Sequence, residues 1–141
     1  MKQFLVAVDS SEGANRAARF ASQLAAETNG SVALLYVYDA PTASLLGMEA
    51  LSPAQMEKAR HDVARGSFEA AKRAIGETSV PITTHTALGH PGHEIVSYAI
   101  ANSPEMIVMG PRGLSPIRGL LLGSVSEYVV RHAQCPVLVV H

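Results

Sequence analysis

Five short apolar runs divide this chain, and they constrain its fold more than any other feature. The runs occupy residues 4–8, 32–37, 80–87, 105–109 and 136–140. Most are rich in Val, Ile and Leu without regular polar alternation, which is typical of strands buried on both faces of a parallel sheet. Segments with apolar residues at helical spacing separate them. The repeated strand–helix order, closed by a fifth strand, predicts a doubly wound, Rossmann-like α/β domain.

The segments between the runs carry helix start and stop signals. Ser10 or Ser11 can cap the first helix, and Asn29 followed by Gly30 is a typical helix end. Pro81 in the third run indicates an edge position or a strand start. The other three helices are expected over residues 53–75, about 92–101, and 124 to about 132.

Size and charge exclude several classes of protein. The 141 residues fit one domain over 1–141, and 48% hydrophobic residues suffice for a core. Eleven Lys and Arg against 12 Asp and Glu give a net charge of -1, which offers no electrostatic argument for nucleic acid or an anionic membrane. With one cysteine, Cys135, and no apolar run of membrane-spanning length, we expect a cytoplasmic protein without an internal disulfide.

The ends of the first and fourth runs have the composition of a ligand site. Ligands of such folds bind beyond the carboxyl ends of the strands. Asp9 follows the first run, and the pattern Gly110-x2-Gly113-x9-Gly123-Ser124 follows the fourth. Glycines let backbone N–H groups approach an anion, and a helix N-terminus favours phosphate. Arg112 adds a positive charge. Together these features predict a phosphate site.

Each of these residues also has a purely structural interpretation. The glycines can simply permit a tight loop, and Asp9 can cap the first helix. Ser124 and Glu127 match the capping box S-x-x-E. For the Ser124 hydroxyl, a phosphate contact and a capping role are therefore equally open. A carboxylate beside a polyphosphate repels it, so a functional Asp9 requires a ribose contact or a nearby Mg²⁺. For Arg118, phosphate contact and full solvation are equally open.

Other reactive residues are assigned structural roles. His90, His93 and Glu94 resemble a metal cluster, but they lie at a turn into a helix, and a metal site there is disfavoured. Cys135 is expected to be a buried structural thiol. The Walker P-loop and the Gly-x-Gly-x-x-Gly dinucleotide pattern are both absent from the sequence.

The glycine spacing resembles the ATP-binding signature of the universal stress protein family. The resemblance covers essentially the whole chain, including LLYVYD at 34–39, GHPGHEI at 89–95, IVMG at 107–110, LLGSVSEYVV at 121–130 and CPVLVV at 135–140. It implies a five-stranded parallel sheet in the order 3-2-1-4-5, which would place Asp9 and Gly110 on adjacent strands. It also implies ATP, ADP or AMP as ligand and a homodimer formed through residues 136–140.

The resemblance implies a role for each residue of the site. Ala7 and Asp9 would line the adenosine side, and the Val37 backbone would hydrogen-bond the adenine edge. The other implied residues surround the ribose and phosphates: Gly110, Pro111, Arg112, Gly113, Gly123, Ser124, Val125 and Ser126, of which the last four would donate to the phosphates. Two residues depart from the family pattern, since Pro111 replaces a frequent Ser or Thr and Ala7 replaces a frequent Pro.

Three functions follow as hypotheses. The first is a nucleotide-binding stress-response module, which binds its nucleotide with or without Mg²⁺. Its downstream protein partner is not identified by the sequence. The second is a dimerisation module that binds no nucleotide. The third is a slow ATPase; the sequence shows no general base, catalytic Lys or arginine finger, so no residue is assigned a catalytic role.

Overall fold

The computed structural model describes residues 1–39, 50–113 and 121–141. Within them the chain alternates between strands and helices, as the apolar runs predict. The elements are β1 (Gln3–Ala7), α1 (Glu12–Glu27), β2 (Ser31–Tyr38), α2 (Pro53–Ile75), β3 (Ile82–Leu88), α3 (Pro91–Asn102), β4 (Met106–Met109), α4 (Ser124–His132) and β5 (Val137–Val139).

The strands form one parallel sheet in the order β3-β2-β1-β4-β5. β1 lies at its centre, where Val6 pairs with Leu34 of β2 on one side and with Val108 of β4 on the other. The predicted doubly wound α/β fold and its strand order are confirmed. Because β1 and β4 are neighbours at the point where the strand order reverses, the segments that follow them open onto the same edge of the sheet.

Helices cover both faces of the sheet, and each face has its own apolar core. Phe4, Val6 and Val8 point toward α1 and α2, where the core includes buried alanines of α1 and Phe68 of α2. Alternate residues point the other way, toward α3 and α4. Alanine adds little bulk to a helix face, so α1 can pack close to the sheet. Burial of these runs on both faces explains their lack of polar alternation.

The helix ends follow the sequence signals with one correction. The Ser11 hydroxyl caps α1 by accepting the Ala14 N–H at 3.2 Å, and Asn29 adopts the left-handed conformation after it, with φ of 52°. At α4, however, the capping position belongs to Gly123, and no side chain caps the helix. The predicted capping box of Ser124 and Glu127 is wrong, because the helix begins one residue earlier than that motif requires.

A close contact between two glycines joins α1 to the end of β4. A Cβ added to Gly110 would lie 2.8 Å from the carbonyl carbon of Gly13 and 3.1 Å from its oxygen. Backbone atoms cannot swing away as a flexible side chain can. The start of α1 therefore rests directly on the chain that leaves β4, and this contact leaves no room for a side chain at Gly110.

We predict that Gly110→Ala destabilises the protein by about 1–3 kcal/mol, because the added methyl group forces two backbone segments apart. Gly66→Ala is the matched control: Gly66 lies inside α2, and a Cβ there meets nothing within 4 Å. The control should gain about 0.5–1 kcal/mol from its better helix propensity. Urea denaturation followed by circular dichroism measures both changes, and equal stabilities of the two variants would contradict the prediction.

Candidate functional site

A cavity of about 400 Å³ opens at the carboxyl edge of the sheet, between the segments that follow β1 and β4. Almost every residue of the predicted site lines it. These residues are Ala7, Asp9, Val37, Gly110, Arg112, Gly113, Gly123, Ser124, Val125 and Ser126. Pro111 is buried and does not line the cavity. The structure thus brings together residues that lie more than 100 positions apart in the sequence.

Several lining residues were not predicted. Asp39 contributes a second carboxylate, while Pro91 and Ile95 extend the wall from the start of α3. The signal for Asp39 was present in the sequence, because it follows the second apolar run after one residue, much as Asp9 directly follows the first. Ile95 carried no such signal, since only the packing of α3 against the sheet brings it to the cavity.

One wall of the cavity is apolar. It is formed by side chains on the α3 and α4 face of the sheet, including Ala7, Leu35 and Val37, with Ile95 and Val125 contributed by helices. Ala7 and Val37 are only partly buried although they belong to the apolar cluster. A wall of this kind offers a surface on which a flat apolar group can rest while its polar edge meets the backbone.

The start of α4 contributes backbone donors to the cavity lining. The first intrahelical bond of α4 runs from the Glu127 N–H to the Gly123 carbonyl at 2.9 Å. The N–H groups of the three preceding residues, Ser124, Val125 and Ser126, come before this ladder, as at any helix N-terminus. These residues line the cavity, so the positive end of the α4 dipole lies beside it. This arrangement suits an anion.

Two polar groups at the start of α4 bond to the chain that leaves β4. The Gly123 N–H donates to the Pro111 carbonyl at 2.6 Å, which corrects its predicted role as a phosphate donor. The Ser126 hydroxyl donates to the Gly110 carbonyl at 2.9 Å and is buried. Both bonds tie the start of α4 to the chain leaving β4, so these groups shape the cavity rather than reach into it.

The Asp9 carboxylate is held in a defined direction. Its Oδ1 accepts the Ser11 N–H at 2.9 Å, and a Cβ built on Gly113 would lie 2.7 Å from its Oδ2. Because Ser11 caps α1, Asp9 is not needed as the helix cap. A side chain at Gly113 would displace the Asp9 carboxylate from this position. The cap interpretation of Asp9 therefore loses its basis, and a role in the cavity remains.

The described charges around the cavity are mixed. Asp9 and Asp39 are acidic, and Arg112 contributes a guanidinium group. Burial raises the pKa of the nearby Tyr36, and the carboxylates of Asp39 and Asp9 raise it further. Both carboxylates therefore act on the same region, and a polyphosphate there would need Arg112 or a cation to balance them.

The remaining candidate residues lie elsewhere. The His90 side chain caps α3 by accepting the His93 N–H at 3.3 Å. Across residues 1–39, 50–113 and 121–141, no group of three His, Cys, Asp or Glu side chains is placed to hold a metal ion. Burial raises the pKa of the Cys135 thiol, which opposes formation of a reactive thiolate. Arg118 lies outside the described residues.

A second depression, of about 560 Å³, lies at the opposite edge of the sheet. Its lining is mainly polar and includes Lys2, Asn29 and Ser103. Although its volume is larger, it lies at the amino ends of the strands, where it has neither an apolar wall nor the glycine segments. Ligands of open parallel sheets bind at the carboxyl ends. The smaller cavity is therefore the better candidate site.

The fold defines a Rossmann-like α/β protein, and the cavity lies at the switch point of its sheet. The profile of the Universal stress protein family matches residues 1–141, and the chain belongs to that family. It is 33% identical to the universal stress protein YxiE of Bacillus subtilis, covering 98% of this chain and 97% of the relative. A universal stress protein of Thermus aquaticus is 35% identical, with 99% and 98% coverage.

Solved structures show the same architecture. The universal stress protein UspA from Lactobacillus plantarum superposes with a TM-score of 0.79 at 27% identity, covering 99% of this chain and 97% of that one. A universal stress protein solved in complex with cAMP has a TM-score of 0.72 at 29% identity, again over 99% and 97%.

We predict that Ser126→Ala destabilises the protein by about 1–2 kcal/mol, because the buried Gly110 carbonyl loses its hydroxyl donor. Ser124→Ala is the control in the same helix: Ser124 is exposed, and α4 has no side-chain cap. Thermal unfolding measures the change. If Ser124→Ala lowered the stability as much as Ser126→Ala, the Ser126–Gly110 hydrogen bond would not be the cause of the destabilisation.

Proposed function

We propose that this protein binds an adenine nucleotide in the cavity at the carboxyl edge of the sheet and acts as a homodimeric regulatory module. One observation carries the proposal: the same cavity is lined by apolar side chains and by the start of α4, where the described residues show no backbone acceptor for the first N–H groups. A nucleotide needs both, a surface for its base and donors for its phosphate.

The geometry suggests an orientation for the nucleotide. The base would rest against Ala7 and Val37, with the Val37 backbone meeting its polar edge. The phosphates would approach Ser124, Val125 and Ser126 through their N–H groups. The ribose would then lie between them, near Asp9 and Gly113. The cAMP complex of the related universal stress protein supports an adenine nucleotide as the ligand class.

The negative charges of Asp9 and Asp39 affect which nucleotide binds. Asp9 and Asp39 would repel the charge of a triphosphate, and Mg²⁺ relieves such repulsion by binding phosphate oxygens. ATP is accordingly proposed to bind with Mg²⁺, whereas AMP carries less charge and needs the ion less. The fit is chemical, since carboxylate oxygens and phosphates are the ligands that Mg²⁺ prefers.

The cavity favours binding over rapid turnover. None of the described residues that line it is Lys, the residue that contacts the transferred phosphates in kinases and P-loop NTPases, and no lining carboxylate is assigned as a base to a positioned water. A regulatory role follows, in which the bound nucleotide alters the order of the glycine segments or the contacts between subunits.

In the part of the chain that the structure describes, no helix is both long and apolar enough for a membrane span. We propose a cytoplasmic location.

We predict that Ser124→Glu weakens ATP and AMP binding at least tenfold but leaves adenosine binding unchanged, because a carboxylate at the α4 start repels phosphate. The fold should tolerate the change, since acidic residues are favourable in a first helical turn. Gln55→Glu adds the same charge to the first turn of α2, remote from the cavity, and serves as the control. Isothermal titration calorimetry, with and without Mg²⁺, measures affinity.

Two outcomes would contradict this proposal. Wild-type protein that shows no saturable adenine-nucleotide binding below millimolar concentration would remove the function itself. Equal loss of ATP and adenosine binding in Ser124→Glu would place the phosphates elsewhere in the cavity.

The proposed dimer rests on β5, which forms one edge of the sheet. Val137, Leu138 and Val139 are all partly exposed in spite of their apolar side chains. The Val140 N–H donates inward to Met109 of β4, so the alternation of a strand turns the Val139 N–H toward the open edge. Open apolar edges are usually paired or covered. A second copy related by a twofold axis would pair antiparallel with it.

We predict that Val139→Pro converts the dimer to a monomer, because it removes an edge N–H without removing a bond to β4. Thr84→Pro is the matched control on the other edge strand, β3: the Gly89 N–H donates inward to Tyr38 of β2, so the same alternation turns the Thr84 N–H away from β2. Size-exclusion chromatography with light scattering at micromolar protein gives the mass. Wild-type protein that runs as a monomer would refute the interface.

A further inference from the structure

The turn between β1 and α1 contains a residue in an unfavourable backbone conformation. Ser10 has φ of 70°, in the left-handed region that glycine adopts easily and serine does not. Ser10 stands between Asp9, whose carboxylate faces the cavity, and Ser11, which caps α1. The direction of the Asp9 side chain therefore depends on a turn that the backbone of Ser10 does not itself prefer.

A contact from outside the cavity accompanies this conformation. The hydroxyls of Ser10 and Ser67 share a hydrogen bond at 2.8 Å, although the residues are 57 positions apart. Ser67 lies in α2 and is only 4% exposed, so its hydroxyl depends on a protein partner. None of the described residues of α2 lines the cavity. Ser67 thus contacts the turn without being able to contact a ligand there.

We propose that Ser67 is a positioning residue of the nucleotide site: its hydroxyl holds Ser10 in the left-handed conformation and thereby fixes the direction of Asp9. Once the turn is held, the Ser11 N–H binds Asp9 Oδ1, and Oδ2 lies beside Gly113. We call the hydrogen bond between the Ser67 and Ser10 hydroxyls the tether. Without it, Ser10 can relax toward more favourable backbone angles, and the Asp9 carboxylate loses this fixed direction. The inference rests on the proposed nucleotide site for its functional consequence, but the tether itself does not.

Glycine at position 10 separates this mechanism from simple packing. Glycine adopts positive φ at no steric cost, so Ser10→Gly removes the need for the tether. If Ser67 acts by holding Ser10, Ser67→Ala should weaken adenine-nucleotide binding by about fivefold, the value of one hydrogen bond. The double variant Ser10→Gly with Ser67→Ala should return to within about twofold of wild type. If Ser67 only packs α2, glycine at position 10 restores nothing.

The experiment combines calorimetry of AMP and Mg-ATP with NMR of the ligand-free protein. The amide shifts of Ser11 and Gly113 report the turn directly, with Ser10→Gly alone as the reference for the double variant. They should move in Ser67→Ala and return in the double variant. Ser22→Ala removes another buried helical hydroxyl, on α1, and should change neither affinity nor these shifts.

The two proposals fail separately. Wild-type protein that binds no adenine nucleotide, with turn shifts that still move and return, would refute the nucleotide function and leave the tether in place. Turn shifts unchanged in Ser67→Ala, or a loss that glycine at position 10 does not restore, would overturn the positioning role whatever the ligand.

Discussion

The contact between the backbones of Gly13 and Gly110 is the constraint on which the rest of this structure depends. It places the start of α1 directly against the chain that leaves β4, with no side chain between them. That closeness brings Asp9 to the glycine segment and sets Gly113 beside its carboxylate. The bonds from Gly123 to Pro111 and from Ser126 to Gly110 then fix α4 on the same segment. The cavity is thus bordered by one close backbone contact and two hydrogen bonds that join the starts of α1 and α4 to the end of β4.

Polar groups around the cavity divide into those that build it and those left for a ligand. The Gly123 N–H and the Ser126 hydroxyl are used internally, as are Ser11 and Asp9 Oδ1 in the turn after β1. What remains is the N–H groups of the first α4 residues, the second oxygen of Asp9, and the apolar wall. This division explains why a signature read as a set of phosphate contacts contains several residues whose work is structural. It also shows how Ser67, outside the cavity, can influence the site through the turn.

Much of the fold followed from local patterns. The apolar runs identified the strands because a sheet covered on both faces leaves no polar alternation, and glycine and serine marked most helix ends. The strand order and the pairing of Asp9 with the glycine segment came from family resemblance, since periodicity does not state which strands are neighbours. The predicted capping box of Ser124 and Glu127 failed because the tertiary bond of Gly123 to Pro111 sets where α4 begins. Asp39 could have been found by the logic applied to Asp9.

Local patterns were enough to predict the elements, the fold class and the residues at the carboxyl ends of β1 and β4, because these depend on interactions among near neighbours in the chain. Packing of the helices on the sheet sets which donors remain available in the cavity, why Gly110 has no room for a side chain, and how Ser67 reaches Ser10. Those features arise from atoms brought together over 12 to more than 100 residues, and no local pattern encodes the distance between them. Hydrogen bonds and close contacts are short-ranged, so their partners become known only once the helices have packed on the sheet.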